Sequence, residues 1–375
     1  NAPRASDFDA DGNYLWDKNG FLVPRGTGNG MAANNYQDNY RGFFREAMQS
    51  LNNLSIQGGT EKATYAFSTS FLTNEGIVPN EEYGRKTFRL AGTLKASDKL
   101  TLATTFNFVR SDYSRIQQGS NTSGLLLGLY RTPISFDNAN GFSPEDAVDS
   151  PSSYIFANGK QRNYRGGGGY DNPYWLINNG LRDETVNRVY GSFTADYNHS
   201  KWFNASLIIG ADFTSDIRKQ NFEKGSRTRS TGYVSLTQYT SFLTDAILNI
   251  SGGDAITDKL NLTYLVSANA FDRSRTGLNS NGSNFAFQGF VNLANASNIA
   301  GSESFLRTTQ MGFVGQIEMD WDSTFYLTLA ARQDYDSRLG VPGTAFKASD
   351  YSFVYPAASL SFLLSELLPQ SDVLS

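Results

Sequence analysis

From residue 54 onward the chain repeats one device: a strand with one greasy and one polar face, joined to the next by a connection that is alternately short and long. In residues 63–72, Tyr65, Phe67, Thr69 and Phe71 fall on one face and Thr64, Ala66, Ser68 and Ser70 on the other, the period of two of a pleated strand. The same split sets Leu100, Leu102, Phe106 and Phe108 against Thr101, Thr105 and Asn107, and Phe203, Leu207, Ile209 and Phe213 against Asn204, Ser206 and Asp212. Later it sets Phe313, Ile317 and Met319 against Gln310, Gln316 and Glu318. Such a strand fits a soluble sandwich, with charges to water, or a membrane barrel, with charges to a lumen. Alternation alone does not choose between them.

The connections add direction. Residues 96–99, 198–201, 251–259 and 320–323 read as short turns, whereas 74–86, 111–184, the loop through Arg229 and a stretch of about thirty residues before Thr308 read as long loops. The spacing predicts about eleven strands, over 54–57, 63–72, 88–94, 100–109, 187–197, 202–214, 233–250, 260–271, 308–319, 324–334 and 351–362. Short turns at one end and long loops at the other are the pattern of an up-and-down antiparallel barrel in an outer membrane. Several strands reach the roughly ten residues that a tilted span needs. Trp202 and Trp321 stand at short-turn ends beside Phe203, Phe325 and Tyr326, where an interfacial aromatic girdle belongs. The expected fold is all-β, an antiparallel up-and-down transmembrane β-barrel section. Residues 1–50 are expected as a polar segment leading into it, 51–375 as barrel, and 111–184 as its long external loop.

Composition narrows the chemistry. A net charge of -4 offers no basic footprint for a phosphate backbone, so nucleic acid is not an expected partner. With no Cys, disulfides, thiolate metal sites and Cys nucleophiles are excluded. The lone histidine, His199, lies in a polar turn, so a Ser-His-Asp relay would have to be built around one turn residue. An enzyme is not expected, nor a cofactor, and the carboxylates Glu61, Glu81 and Glu82 read as solvated loop charge. Asp7, Asp9 and Asp11 before Gly12 resemble the opening of an EF-hand calcium loop, but Lys18 replaces the closing Glu. A polar turn is the preferred reading there, with a calcium site left open. Glycines at 26, 28 and 30 and at 166–169 do not lie between a strand and a helix and read as loop.

The 111–184 segment is too long and too aromatic for a passive linker. It holds Tyr113, Tyr130, Phe136, Tyr154, Phe156, Tyr164, Tyr170, Tyr174 and Trp175 among Asn, Gln and Arg. Aromatic faces beside such donors suit sugar rings or peptides, and suit a protein partner equally well.

Residues 52–89, NNLSIQGGTEKATYAFSTSFLTNEGIVPNEEYGRKTFR, resemble an early barrel hairpin of the SusC/RagA-like TonB-dependent outer-membrane transporters. Further resemblances follow in order: DNPYW at 171–175, the run from Asn187 through NHSKW, GFVGQIEMDWDSTFYLTLAARQDYDSR from Gly312, and YPAASLSFLLSE at 355–366. The resemblance implies a barrel of about 22 strands filled by an N-terminal plug, of which this chain is an internal section, with the plug and its TonB-binding box outside it. It implies TonB-dependent import of an oligosaccharide or peptide across the outer membrane, with a SusD-like surface lipoprotein as lid and lipid around the wall. A barrel that scaffolds surface proteins without transport is the alternative. Tyr154, Tyr164, Tyr170, Tyr174 and Trp175 are the residues expected to touch ligand or lid.

Overall fold

A computed structural model describes residues 38–117, 124–134, 136–165, 170–340 and 347–367. Asp7, Asp9 and Asp11, like the glycines at 26, 28, 30 and 166–169, lie outside the described residues. Eleven strands form one sheet in strict chain order. They are β1 (Gln49–Gly59), β2 (Ala63–Glu75), β3 (Glu82–Lys95), β4 (Leu100–Ile116), β5 (Leu181–Ser200), β6 (Phe203–Phe222), β7 (Tyr233–Thr257), β8 (Leu260–Phe285), β9 (Ala296–Trp321), β10 (Phe325–Asp336) and β11 (Ser352–Phe362). Every neighbouring pair is antiparallel. The sheet is open, with β1 and β11 as its edges among the described residues. Short turns at 60–62, 96–99, 201–202, 258–259 and 322–324 close one end. Connections 76–81, 117–180, 223–232, 286–295 and 337–351 lie at the other.

Directly paired residues share a face, so the register turns the strand-by-strand alternation into two continuous surfaces. One apolar row runs Phe67, Leu90, Phe106, and another runs Ala195, Leu207, Leu248, Ala268, Phe313. Ile317 pairs with Leu329, and Leu327 with Leu360, so the face continues to β11. Rings meet along it, with Phe67 and Phe88 edge to face at 5.0 Å. Phe71, Phe88, Phe106, Phe193, Phe213, Phe242 and Phe313 are all exposed on it. The apolar surface is a band whose edge steps across the register. At β3 and β4 it ends on the row of Lys86 and Arg110, which continues to Thr276 of β8. In β8, however, polarity already begins at Asp272, which accepts from Thr309 Oγ1 at 2.8 Å and pairs with Arg307 at 2.9 Å. In β10 it begins at Gln333, on the row of Phe313 and Ala268, two rows lower still. A band that cuts obliquely across rows belongs to strands tilted against it.

At the short-turn end Trp202 lies in the β5–β6 turn, and Trp321, the last residue of β9, pairs with Phe325. Tyr264 Oη donates to the Trp202 carbonyl at 2.6 Å, placing its ring on the apolar face and its hydroxyl on a turn. Trp202, Phe203, Tyr264, Trp321, Phe325 and Tyr326 thus gather at the short-turn end.

Most strands are longer than the alternation indicated, chiefly toward the long-connection end, although β7 also runs on to Thr257 through the turn expected at 251–259, and β5 to Ser200 through that expected at 198–201. β4 runs to Ile116 and β5 starts at Leu181, so the long loop is 117–180, and β1 begins at Gln49. The expected thirty-residue loop before Thr308 is mostly strand: β8 and β9 are 26 residues each and only 286–295 connects them. Their outer halves are mostly polar on both faces, with Leu278, Ile299, Phe305 and Leu306 scattered among the polar residues, so they lack alternation yet remain fully paired from Asp272↔Thr309 to Ser283↔Asn298.

Candidate functional site

The 117–180 connection folds into a cap of three short helices, α1 (Leu125–Arg131), α2 (Pro144–Asp149) and α3 (Pro173–Asn179). Leu129, Ala147, Tyr154, Tyr174, Trp175, Leu176 and Ile177 bury together against Phe43 before β1, Val78 between β2 and β3, and Phe222 at the end of β6. The cap therefore sits on the long-connection end of the sheet. DNPYW builds its keystone by local chemistry. Asn172 caps α3, its Oδ1 accepting from the Tyr174 N–H at 2.9 Å, and Pro173 follows where its missing N–H costs nothing. Asp171, 3% exposed, ties α3 to its surroundings: it accepts from Gln161 Nε2 at 2.8 Å, the Arg227 N–H at 2.7 Å and Ser226 Oγ at 3.1 Å. Arg162, fully buried, donates to the Ser153 and Asp137 carbonyls and lies 5.3 Å from the Phe136 ring centroid. Asn80 Nδ2 reaches the Ile177 carbonyl, and Asn39 Nδ2 the Phe136 carbonyl. The 223–232 connection extends the scaffold, since Glu223 Oε2 accepts from the Gly289 N–H at the tip of the β8–β9 hairpin.

The five aromatics expected as contacts take different places. Tyr154, Tyr174 and Trp175 lie inside the cap core, and burial pushes the Tyr154 and Tyr174 phenols well above their ordinary pKa. Tyr170 is buried, with the guanidiniums of Arg131 and Arg165 5.2 and 5.6 Å from its centroid. Tyr164 is half-buried, stacked on Tyr170 at 6.3 Å and edge-on to Phe136 at the same distance. Burial raises the Tyr164 pKa while the two arginines oppose the rise. Tyr164 and Tyr170 form one stack, and Tyr154, Tyr174 and Trp175 belong to the core beside it.

Register assembles a second surface that sequence reading missed, on the polar face adjoining the cap. Tyr83 stacks on Tyr113 at 4.5 Å, and the Arg115 guanidinium lies 4.4 Å from the Tyr113 centroid. Glu184, 8% exposed, receives Arg115 at 3.7 Å and Arg218 at 3.6 Å, and Arg218 also pairs with Asp216 at 2.6 Å. Arg275 lies over Tyr239 at 4.7 Å and Arg188 over Tyr190 at 4.6 Å, the latter also paired with Asp212. Nearer β10 a cavity of about 240 Å³ is lined by Asn269, Gln310, Arg332, Asp334, Asp336 and Tyr355. Arg332 there pairs with Asp334 at 2.7 Å and donates to Asn269 Oδ1 at 3.3 Å. All three polar groups crowd onto Gly312, where any Cβ would collide with them. The signal available in the sequence was arginine at alternate positions, as in Arg273 and Arg275, but only pairing brings six strands' worth of them together.

Among the described residues no cluster of His, Asp and Glu could hold a metal ion, and no helix is long and apolar enough to cross a membrane.

The sheet and its turns define an open section of an up-and-down β-barrel. Chains of the RagAB peptide transporter share that fold with this one, at a TM-score of 0.67 and 14% identity over 89% of this chain and 36% of theirs. The RagAB peptide importer gives 0.66 at 15% identity in its open-open state, over 87% and 35%, and 0.67 at 15% in its closed-closed state, over 89% and 36%. This chain thus spans about a third of the length of the transporter chains it matches. No family model and no curated protein matches the sequence. The similar structures are those of a transporter, and the likeness is one of fold.

Proposed function

We propose that this chain is part of the wall of an outer-membrane barrel that imports a large nutrient, a peptide or an oligosaccharide, driven by TonB and lidded by a SusD-like lipoprotein. The observation that carries the reading is the oblique apolar band opposite a continuous polar face, closed by short turns below and a built cap above. A tilted strand crosses the hydrocarbon layer in about 9–11 residues. β8, at 26 residues, is about 85 Å long. Its segment from Leu260 to Ala270 spans the layer, and the mostly polar remainder stands outside the cell. The apolar band faces lipid, the polar face lines the lumen, and the short turns with Trp202 and Trp321 lie at the periplasmic interface.

Within this reading the cap surface receives ligand or lid. Tyr164, the half-buried member of the five aromatics, makes the contact, while Tyr154, Tyr170, Tyr174 and Trp175 hold the surface in shape. Import needs no covalent step from this wall. It requires weak contacts that hold cargo between lid and plug until TonB opens a path.

The test is uptake of defined oligopeptides and oligosaccharides by cells with and without the protein, each with TonB intact or deleted. The reading expects one cargo class whose uptake needs both. Uptake unchanged by either deletion contradicts it and leaves a scaffold barrel.

A further inference from the structure

On the polar face of β3 to β8 near the cap, arginines outnumber carboxylates. On the polar rows of β3 to β8 nearest the cap stand Arg85, Arg89, Arg182, Arg273 and Arg275, none of which forms an ion pair among the described residues. The carboxylates on this part of the polar face are Glu184, Asp212, Asp216 and Asp245, and the first three are already paired to other arginines. The whole chain has a net charge of -4, so this cationic strip runs against composition. Arg115 lies directly opposite Arg182 across the β4–β5 pair, a like-charge pairing that destabilises a sheet. Four of the five unpaired arginines are exposed, and Arg182 is half-exposed. The strip contains no lysine, and arginine's fixed fork matches a carboxylate with two parallel hydrogen bonds.

We infer that the cargo is an acidic peptide, bound through its carboxylates by this arginine strip; the inference rests on the import reading. The faces of Tyr113, Tyr190 and Tyr239, which would otherwise stack on a sugar ring, are each covered by a guanidinium. The wall therefore presents forks for carboxylates, while a guanidinium already occupies one face of each of these three rings. The strip lies beside the external cap, where a positive potential raises the local concentration of an incoming anion.

The experiment uses the full-length protein in its own outer membrane, with uptake measured for Asp/Glu-rich, Asn/Ser-rich and Lys-rich peptides of one length and for an oligogalacturonate. The acidic peptide is expected to enter about tenfold faster than the neutral one at low salt, the advantage shrinking as salt screens it. Arg182→Gln combined with Arg273→Gln is expected to remove most of that advantage and leave neutral uptake unchanged, which also shows that the variant is folded and inserted. The corresponding Lys variant should keep part of it. Equal entry of acidic and neutral peptides, faster entry of the oligogalacturonate, or a variant that slows all peptides alike would overturn the inference while import stands. No protein-dependent uptake of any probe would overturn import and this inference together.

Discussion

Gly312 is where three side chains of the polar face crowd in on one backbone position. A methyl group there would collide with Asn269 Oδ1, Arg332 Nη2 and Asp334 Oδ1, whereas one at Gly315, on the opposite face of the same strand, would meet nothing within 4 Å. Gly312→Ala should therefore displace the Arg332–Asp334 pair, but at a cost of about 1 kcal/mol or less, because the atoms it meets are the ends of flexible, part-exposed side chains. Gly315→Ala should be neutral. Thermal unfolding of the two variants in detergent checks the contrast; equal effects would mean that the cluster does not pack on Gly312. No reading of the sequence would have singled out one of these glycines, because the crowding comes from side chains on β8 and β10.

At the scale of elements, the strands were legible wherever one face is greasy. Phe203, Leu207, Ile209 and Phe213 mark β6 from the sequence, and the structure pairs each with a residue of β5 and of β7, apart from Phe203, which closes the β5–β6 turn. The outer halves of β8 and β9 were illegible for the opposite reason. Asp272, Ser274 and Thr276 on one face and Arg273 and Arg275 on the other give no period, and only pairing holds them as strand. The cap was legible as a functional-looking aromatic cluster, but not in its division between core and rim. DNPYW supplies a helix cap and a clamp, and the clamp's partners, Ser226 and Arg227, lie in another connection. Asp171→Ala should loosen the cap by about 1–3 kcal/mol, because it orphans buried donors. Hydrogen exchange in α3 should then quicken while β5 and β6 stay protected. Unchanged exchange in α3 would show that the cap is held by its apolar core alone.

For the whole molecule, the arrangement to be explained is a sheet with two chemically opposite faces and two unlike ends. The faces follow from a period of two carried through an unbroken register. The ends follow from turn chemistry on one side and from built connections on the other. The arginine strip belongs to this scale as well, since its members come from different strands and only the sheet makes them neighbours. The orientation of the sheet in a membrane is the claim on which the import reading depends. The chain has no Cys, so Glu61→Cys in the β1–β2 turn and Glu82→Cys at the start of β3 each introduce its sole thiol, at positions that are both exposed. The direct measurement is labelling of these two variants by a membrane-impermeant maleimide, in intact cells and after the outer membrane is permeabilised. The account predicts that the position 82 thiol labels in intact cells and the position 61 thiol only after permeabilisation; equal labelling of both in intact cells, or the reverse order, would contradict it.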